Sequence, residues 1–177
     1  MKILYLKTED PAISHLNYND FLHDTLLIGL RNKFGNSVVD YPGAWYMYPK
    51  ERKKRINDST EKIWGNLFTL YDSLQNYDLI DRNDIKKKIE KNFFDFIIYG
   101  SIRGKNLFLE EAIKSKSKIV FVDTSDDGYI DKSKTDKGIY FKRELYSVEK
   151  NVFPINFAIP KKKIISSINL CPENILS

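Results

Sequence analysis

Phe93-Phe94-Asp95-Phe96-Ile97-Ile98-Tyr99-Gly100-Ser101 and, further on, Lys118-Ile119-Val120-Phe121-Val122-Asp123-Thr124-Ser125-Asp126-Asp127-Gly128 decide the fold. Each is an apolar run of strand length that stops abruptly in small, polar or acidic residues. A strand apolar at almost every position has to be covered on both faces, the condition of a parallel sheet between layers of helices. The expectation is an α/β domain of three layers, its mainly parallel sheet flanked by helices. Ligands of open α/β sheets lie in the crevice outside the carboxyl ends of the strands. Gly100-Ser101-Ile102-Arg103 and Asp123-Thr124-Ser125-Asp126-Asp127 fall at those ends, so a ligand site is expected there.

The flanking sequence extends the pattern. Lys2 to Lys7 reads as an opening strand. From Tyr18 to Phe34 the apolar residues Phe21, Leu22, Leu26, Ile28, Leu30 and Phe34 keep helical spacing, with Gly35 as a C-cap. Ser37 to Tyr41 is a second strand stopped by Pro42-Gly43, which completes a βαβ unit. Asp81 to Asn92 predicts a helix with Ile85 and Ile89 inward and Lys86, Lys87 and Lys88 solvated. Leu107 to Ser115 predicts another between the two central strands, making a second βαβ unit. The segment from Pro42 to Tyr77 is either a functional insertion or a helical hairpin covering a sheet edge. Ile139 to Leu145 is either a strand or a helical turn. Phe153 to Pro160 is extended, and its prolines confine it to an edge. Residues 1–160 thus read as one domain, and 161–177 as a tail or linker toward a further one.

Composition narrows the class. With 177 residues, 42% hydrophobic and 30% charged, the chain supports one globular domain with a sizeable core. Its apolar runs fall far short of the ~18 residues that cross a bilayer. The N-terminus lacks a small-residue cleavage pattern and reads as a buried strand, so the cytoplasm or the inner-membrane periphery is the expected location. Cys171 alone excludes an internal disulfide and a cysteine-based metal site. The net charge is +5, with basic clusters at 50–55, 86–88, 114–118 and 161–163. Their dispersal along the chain argues against nucleic acid as the partner. A positive surface also suits anionic small ligands or an anionic membrane surface.

The candidates for chemistry are few. There is no Walker lysine loop, no G-x-G-x-x-G and no G-x-S-x-G elbow. Gly100-Ser101-Ile102-Arg103-Gly104 either wraps a phosphate at the start of a helix or is a tight turn with Arg103 solvated. Asp123, Asp126 and Asp127 either hold an ion, act as a base, or simply form turns and caps. His23, beside Asp20 and Asp24 at a helix start, is either a general base or an ordinary surface histidine, the latter being the expected placement. Lys142 and Arg143 either grip an anion, or Arg143 pairs with Glu144 or with an aspartate of the 123–127 loop and locks that loop.

Val39-Asp40-Tyr41-Pro42, Asp95 to Arg103, Tyr140-Phe141-Lys142-Arg143-Glu144-Leu145 and Pro154 to Pro160, in that order, resemble the N-terminal half of bacterial proteins related to GT-B glycosyltransferases of surface-polysaccharide and lipopolysaccharide pathways. The resemblance spans about Met1 to Pro160. It implies a single Rossmann-like domain that shapes an acceptor site, with a second Rossmann-like domain or a partner chain binding the nucleotide-sugar. In that setting His23, Asp126 and Asp127 are the catalytic candidates. Gly100, Ser101, Arg103 and Asp123 line the cleft, and Lys142 and Arg143 steady phosphate or acidic sugar. The implied partner is a sugar or glycolipid acceptor. No cofactor is expected beyond a nucleotide-sugar as donor substrate, and no metal. The family's donor-binding residues have nothing here to map onto, and Trp64 to Thr69 lacks the glycine-rich turn of its relatives. The alternative is a non-catalytic flavodoxin-like or receiver-like binding module, with Asp123 as phosphoacceptor beside Glu9 and Asp10.

Overall fold

Every strand pairing in the computed structural model is parallel, and the model describes residues 1–7, 21–56, 70 and 72–156. The strands are β1 (Ile3–Leu6), β2 (Val38–Tyr41), β3 (Phe96–Tyr99), β4 (Lys118–Asp123), β5 (Ile139–Lys142) and β6 (Val152–Pro154). Their order across the sheet is β2-β1-β3-β4-β5-β6. The helices are α1 (Phe21–Phe34), α2 (Pro49–Ile56), α3 (Ile85–Glu90), α4 (Leu109–Lys114) and α5 (Lys132–Thr135). This is a three-layer, Rossmann-like α/β domain with its sheet flanked by helices. The chain steps one way from β1 to β2 and the other way from β3 onward. Right-handed crossovers then place α1 on one face and α3 and α4 on the other. α3 and α4 lie together, joined by Lys86 Nζ to Glu111 Oε1 at 2.7 Å.

The core follows from the apolar runs. All of β1 is buried, as are Ile97 to Tyr99 of β3 and Ile119 to Asp123 of β4. The Tyr99 and Phe121 rings stack at 5.2 Å across the β3–β4 pair. Ile85 and Ile89 face inward from α3, as their spacing predicts. At the end of α1 the Arg31 guanidinium donates to the Gly35 and Val38 carbonyls at 2.9 and 3.1 Å, fastening the helix to β2. Gly35 has φ +56° and suits that reversal.

Two helices are shorter than their sequence pattern. Asp84 (φ 49°) and Asn92 (φ 56°) are left-handed and bound α3, and Phe108 (φ 56°) delays α4 until Leu109. Lys88 is not simply solvated, because its ammonium donates to the Asp81 carbonyl and pairs with the Asp81 carboxylate at 2.7 Å. α5 arises in a stretch with no helical period. Its cap explains it: the Asp131 carboxylate accepts from Ser133 N at 3.0 Å. Ile139–Lys142 resolves as a strand, and β6 is the outer strand beside it.

Between β2 and β3 the described residues include a 3-10 turn (Trp45–Met47) and α2. Asp40 anchors this insertion. Its carboxylate accepts from Ala44 N, the Tyr48 hydroxyl and Arg82 Nη2 at 2.9, 3.0 and 2.7 Å. Burial, then Asp40, pushes the Tyr48 phenol well above its ordinary range. Among the described residues no helix is long and apolar enough to cross a membrane. The helical reading of Tyr18 to Asp20, residues 157–160 of the extended stretch and the 161–177 tail lie outside the described residues.

Gly138, at the entrance to β5, has no room for a side chain. A Cβ there would stand 2.4 Å from the Ile119 backbone oxygen. Gly138→Ala is expected to lower stability by about 1–3 kcal/mol in urea unfolding, because the obstacle is backbone of a central strand. A neutral result would show that β5 sits further from β4.

Candidate functional site

Parallel strands bring all their carboxyl ends to one edge, and the connections part in opposite directions between β1 and β3, the switch point where such sheets take ligands. A buried polar cluster fills that position. α1 delivers His23 and Asp24 in its first turn, β1 supplies Tyr5, and the 3-10 turn after β2 supplies Tyr46. The Tyr5 hydroxyl donates to the His23 carbonyl at 2.8 Å, and the two rings lie 4.8 Å apart. The Tyr46 hydroxyl donates to Asp24 Oδ1 at 2.5 Å. His23 Nδ1 stands 3.3 Å from the same oxygen, so a proton on Nδ1 points at it. The Lys7 ammonium lies 4.5 Å from the centre of the Tyr46 ring. Burial, then the Asp24 charge, pushes the Tyr46 phenol well above its ordinary range, and it stays a donor.

Asp24 is fully buried, and its Oδ2 accepts no hydrogen bond from any described residue. Leaving a buried acceptor unsatisfied costs about 1–3 kcal/mol. A hydroxyl or ammonium donor brought to that oxygen removes the cost.

A second cluster lies two strands away, at the ends of β4 and β5. Lys142 is fully buried, and its ammonium meets Asp123 Oδ2 at 3.0 Å, Ser125 Oγ at 3.1 Å and Asp127 Oδ1 at 3.5 Å. The Tyr140 hydroxyl donates to Asp123 Oδ2 at 2.6 Å, and Asp123 Oδ1 accepts from Ser125 N at 3.0 Å and from the Ser125 hydroxyl. Arg143 pairs with Asp126, and its Nε is 3.5 Å from Glu144. Burial pushes the Asp123 carboxyl up, but the hydrogen bonds from Ser125, Tyr140 and Lys142 outweigh it and hold it below the usual range. Burial, then Asp123, raises the Tyr140 phenol.

The candidates found in the sequence therefore divide. His23 and Gly100 come together: a Cβ on Gly100 would stand 2.4 Å from both His23 Cδ2 and the Tyr5 hydroxyl. His23 is only 3% exposed, which corrects the expectation of a surface histidine. The missing side chain at Gly100 is what admits the imidazole. Ser101 is buried, and its hydroxyl accepts from Arg103 N at 3.3 Å, while the Arg103 side chain is exposed. The Gly100–Gly104 turn does not open a helix, since α4 starts only at Leu109. Asp126 pairs with Arg143, as in the loop-locking reading of that arginine, and Lys142 adds pairs to Asp123 and Asp127 that the sequence reading did not include. Among the described residues no three carboxylate, cysteine or histidine side chains converge as metal ligands. Asp123 ends β4 rather than the third strand and is buried beneath three donors, so the receiver-like phosphoacceptor geometry is not met.

Sequence reasoning missed Tyr5, Tyr46 and Tyr140, which look like ordinary core aromatics in apolar runs. Their hydroxyls carried no separate signal. Arg52 pairs with Asp72 at 2.5 Å and Lys54 with Glu51 at 2.5 Å, so the 50–55 cluster is partly neutralised; the 161–163 cluster lies outside the described residues. No protein-family model, no curated protein and no solved structure matches this chain.

Gly100→Ala is expected to cost about 1–3 kcal/mol of stability in chemical denaturation, since both obstructing rings are buried. Unchanged stability would mean that His23 and Tyr5 do not close on this position. Lys142→Met is expected to cost about 3–5 kcal/mol at pH 7, because Asp123 is left buried and charged without its cation. The folded Asp123 titrates below its unfolded value, so its stabilisation is present above about pH 4 and is lost as the pH falls through the folded value. The Lys142→Met deficit is accordingly expected to shrink on acidification below about pH 4. A deficit independent of pH would assign the loss to packing alone.

Proposed function

We propose that this chain is the acceptor-side domain of a glycosyltransferase-like protein of bacterial surface-polysaccharide synthesis. It holds a sugar or glycolipid acceptor at the carboxyl edge of its sheet. A second Rossmann-like domain or a partner chain presents the nucleotide-sugar. The observation that carries this reading is the buried Asp24 oxygen without a hydrogen bond, set at the β1–β3 switch point among His23, Tyr5 and Tyr46. A saccharide hydroxyl is a donor suited to that oxygen. The resemblance of four ordered motifs to acceptor-side domains supports the same assignment.

In this reading His23 is the base, and Asp24 orients its ring through Nδ1. As the acceptor oxygen forms its bond to the anomeric carbon of the donor, its proton passes to the imidazole and the nucleoside diphosphate leaves. Gly100 and Ser101 shape the wall of the crevice, and Arg103 stands exposed at its rim. Asp126 and Asp127 belong to the neighbouring loop, where Arg143 and Lys142 hold them.

An amide NMR titration of the chain with neutral oligosaccharides and with UDP-glucose tests the assignment. Shifts at residues 22–24, 100 and 101 are expected with an oligosaccharide but not with UDP-glucose. Shifts there with UDP-glucose alone would make this a donor site. The isolated chain is also expected to release no UDP from UDP-glucose, and sustained turnover would overturn the division of labour with a second domain.

A further inference from the structure

The loop that follows β4 is fastened far more firmly than its exposure requires. Lys142 reaches Ser125 and Asp127 from beneath, Arg143 holds Asp126, and Asp127 Oδ1 accepts from Tyr129 N at 2.9 Å. Two large aromatic side chains beside this loop reach into solvent. Tyr129 is 73% exposed and Tyr146, from the chain just past β5, is 77% exposed. The Tyr146 ring lies directly on Gly128, where a Cβ would come within 2.3 Å of its Cδ2. The exposed Tyr146 ring thus packs on the glycine that immediately precedes Tyr129 in the chain, on the same carboxyl edge as the switch point. At the base of the loop Thr124 Oγ1 is buried and makes no hydrogen bond to any described residue.

We infer that Tyr129 and Tyr146 form a stacking platform for a neutral sugar ring, a saccharide subsite at the β4–β5 end of the carboxyl edge. The inference rests on the acceptor reading above and extends it to residues that reading does not use. A tyrosine face covers the apolar C–H face of a pyranose while losing little side-chain entropy on binding. The charges beside the rings select against phosphate. Asp126 is 86% exposed, Asp127 is 65% exposed at its side chain, and the Arg143 charge is already matched by Asp126. Lys142 and Arg143 are matched by Asp123, Asp126 and Asp127, so the loop offers a phosphate no surplus cation, while the exposed oxygens of Asp126 and Asp127 can accept from sugar hydroxyls. The platform therefore takes the acceptor chain, not the donor.

The test is an amide NMR titration of the whole chain with four neutral tetrasaccharides, built of glucose, mannose, galactose and N-acetylglucosamine. UDP and tetramethylammonium serve as anionic and cationic controls. Shifts at residues 128, 129 and 146 are expected with at least one tetrasaccharide and with neither control. Tyr146→Ala is expected to weaken that binding on the order of tenfold, while Tyr146→Phe keeps it within about threefold. Gly128→Ala, which displaces the ring without removing it, is expected to weaken binding as well. Matching thermal unfolding of these surface variants and the parent chain shows that the fold is intact.

Shifts at 22–24 and 100–101 with none at 128, 129 and 146 would overturn the platform and leave the acceptor reading standing. Shifts confined to 128, 129 and 146 would keep the platform and remove the switch-point site. A response only to tetramethylammonium would make the rings a cation site and overturn the inference. No response to any tetrasaccharide would overturn both.

Discussion

Running every strand in one direction constrains everything else in this molecule. A parallel sheet cannot turn back through a hairpin, so each connection must cross a face, and both faces end up covered. The near-continuous apolar character of β1, β3 and β4 is the direct result, with Leu4, Ile97 and Phe121 wholly enclosed. The same constraint gathers all six carboxyl ends on one edge. Polar residues excluded from the faces collect there, at Lys7, Ser101, Asp123 and Lys142. The concentration of chemistry on one edge is a consequence of topology before it is a matter of function.

Two buried polar clusters share that edge and differ in how completely they are satisfied. Around Lys142 the ion pair itself is fully engaged, with Asp123 receiving Ser125, Tyr140 and Lys142 and the ammonium surrounded by oxygen, while the neighbouring Thr124 Oγ1 makes no hydrogen bond to any described residue. Such a network holds a loop in one conformation, and removing either partner of the buried pair leaves a charge without compensation. Around Asp24 one carboxylate oxygen is engaged by Tyr46 and His23 and the other is not. This contrast separates the two ends of the edge, with the engaged ion pair beneath the loop beside Tyr129 and Tyr146 and the half-engaged carboxylate at the switch point.

Much of the fold was legible because it follows from periodicity. The run from Ile97 to Tyr99 and the run from Ile119 to Val122 announce buried strands, and Ile85 with Ile89 announces the inner face of a helix. Helix ends were less legible. Left-handed backbone at Asp84, Asn92 and Phe108 shortens α3 and α4, and no apolar pattern encodes it. α5 depends on the single Asp131 cap, a signal easily lost in a polar stretch. At the candidate site, the placement of Asp123 at a strand end was readable from the abrupt change from Val122. The burial of His23 was not, because it depends on Gly100, more than seventy positions away in the chain.

The sequence alone determined the layered α/β architecture, the direction of the inner strands and the edge on which their polar ends meet. These follow from short-range patterns of apolar residues, which report how much of each element must leave water. Only the tertiary structure decided that Lys142 is locked beneath a loop rather than presented to solvent, that His23 is enclosed, and that Tyr46 and Tyr140 serve as hydrogen-bond donors to buried carboxylates. Those outcomes depend on which distant side chains share one small volume, and on whether each polar atom finds a partner there. A linear pattern carries neither quantity.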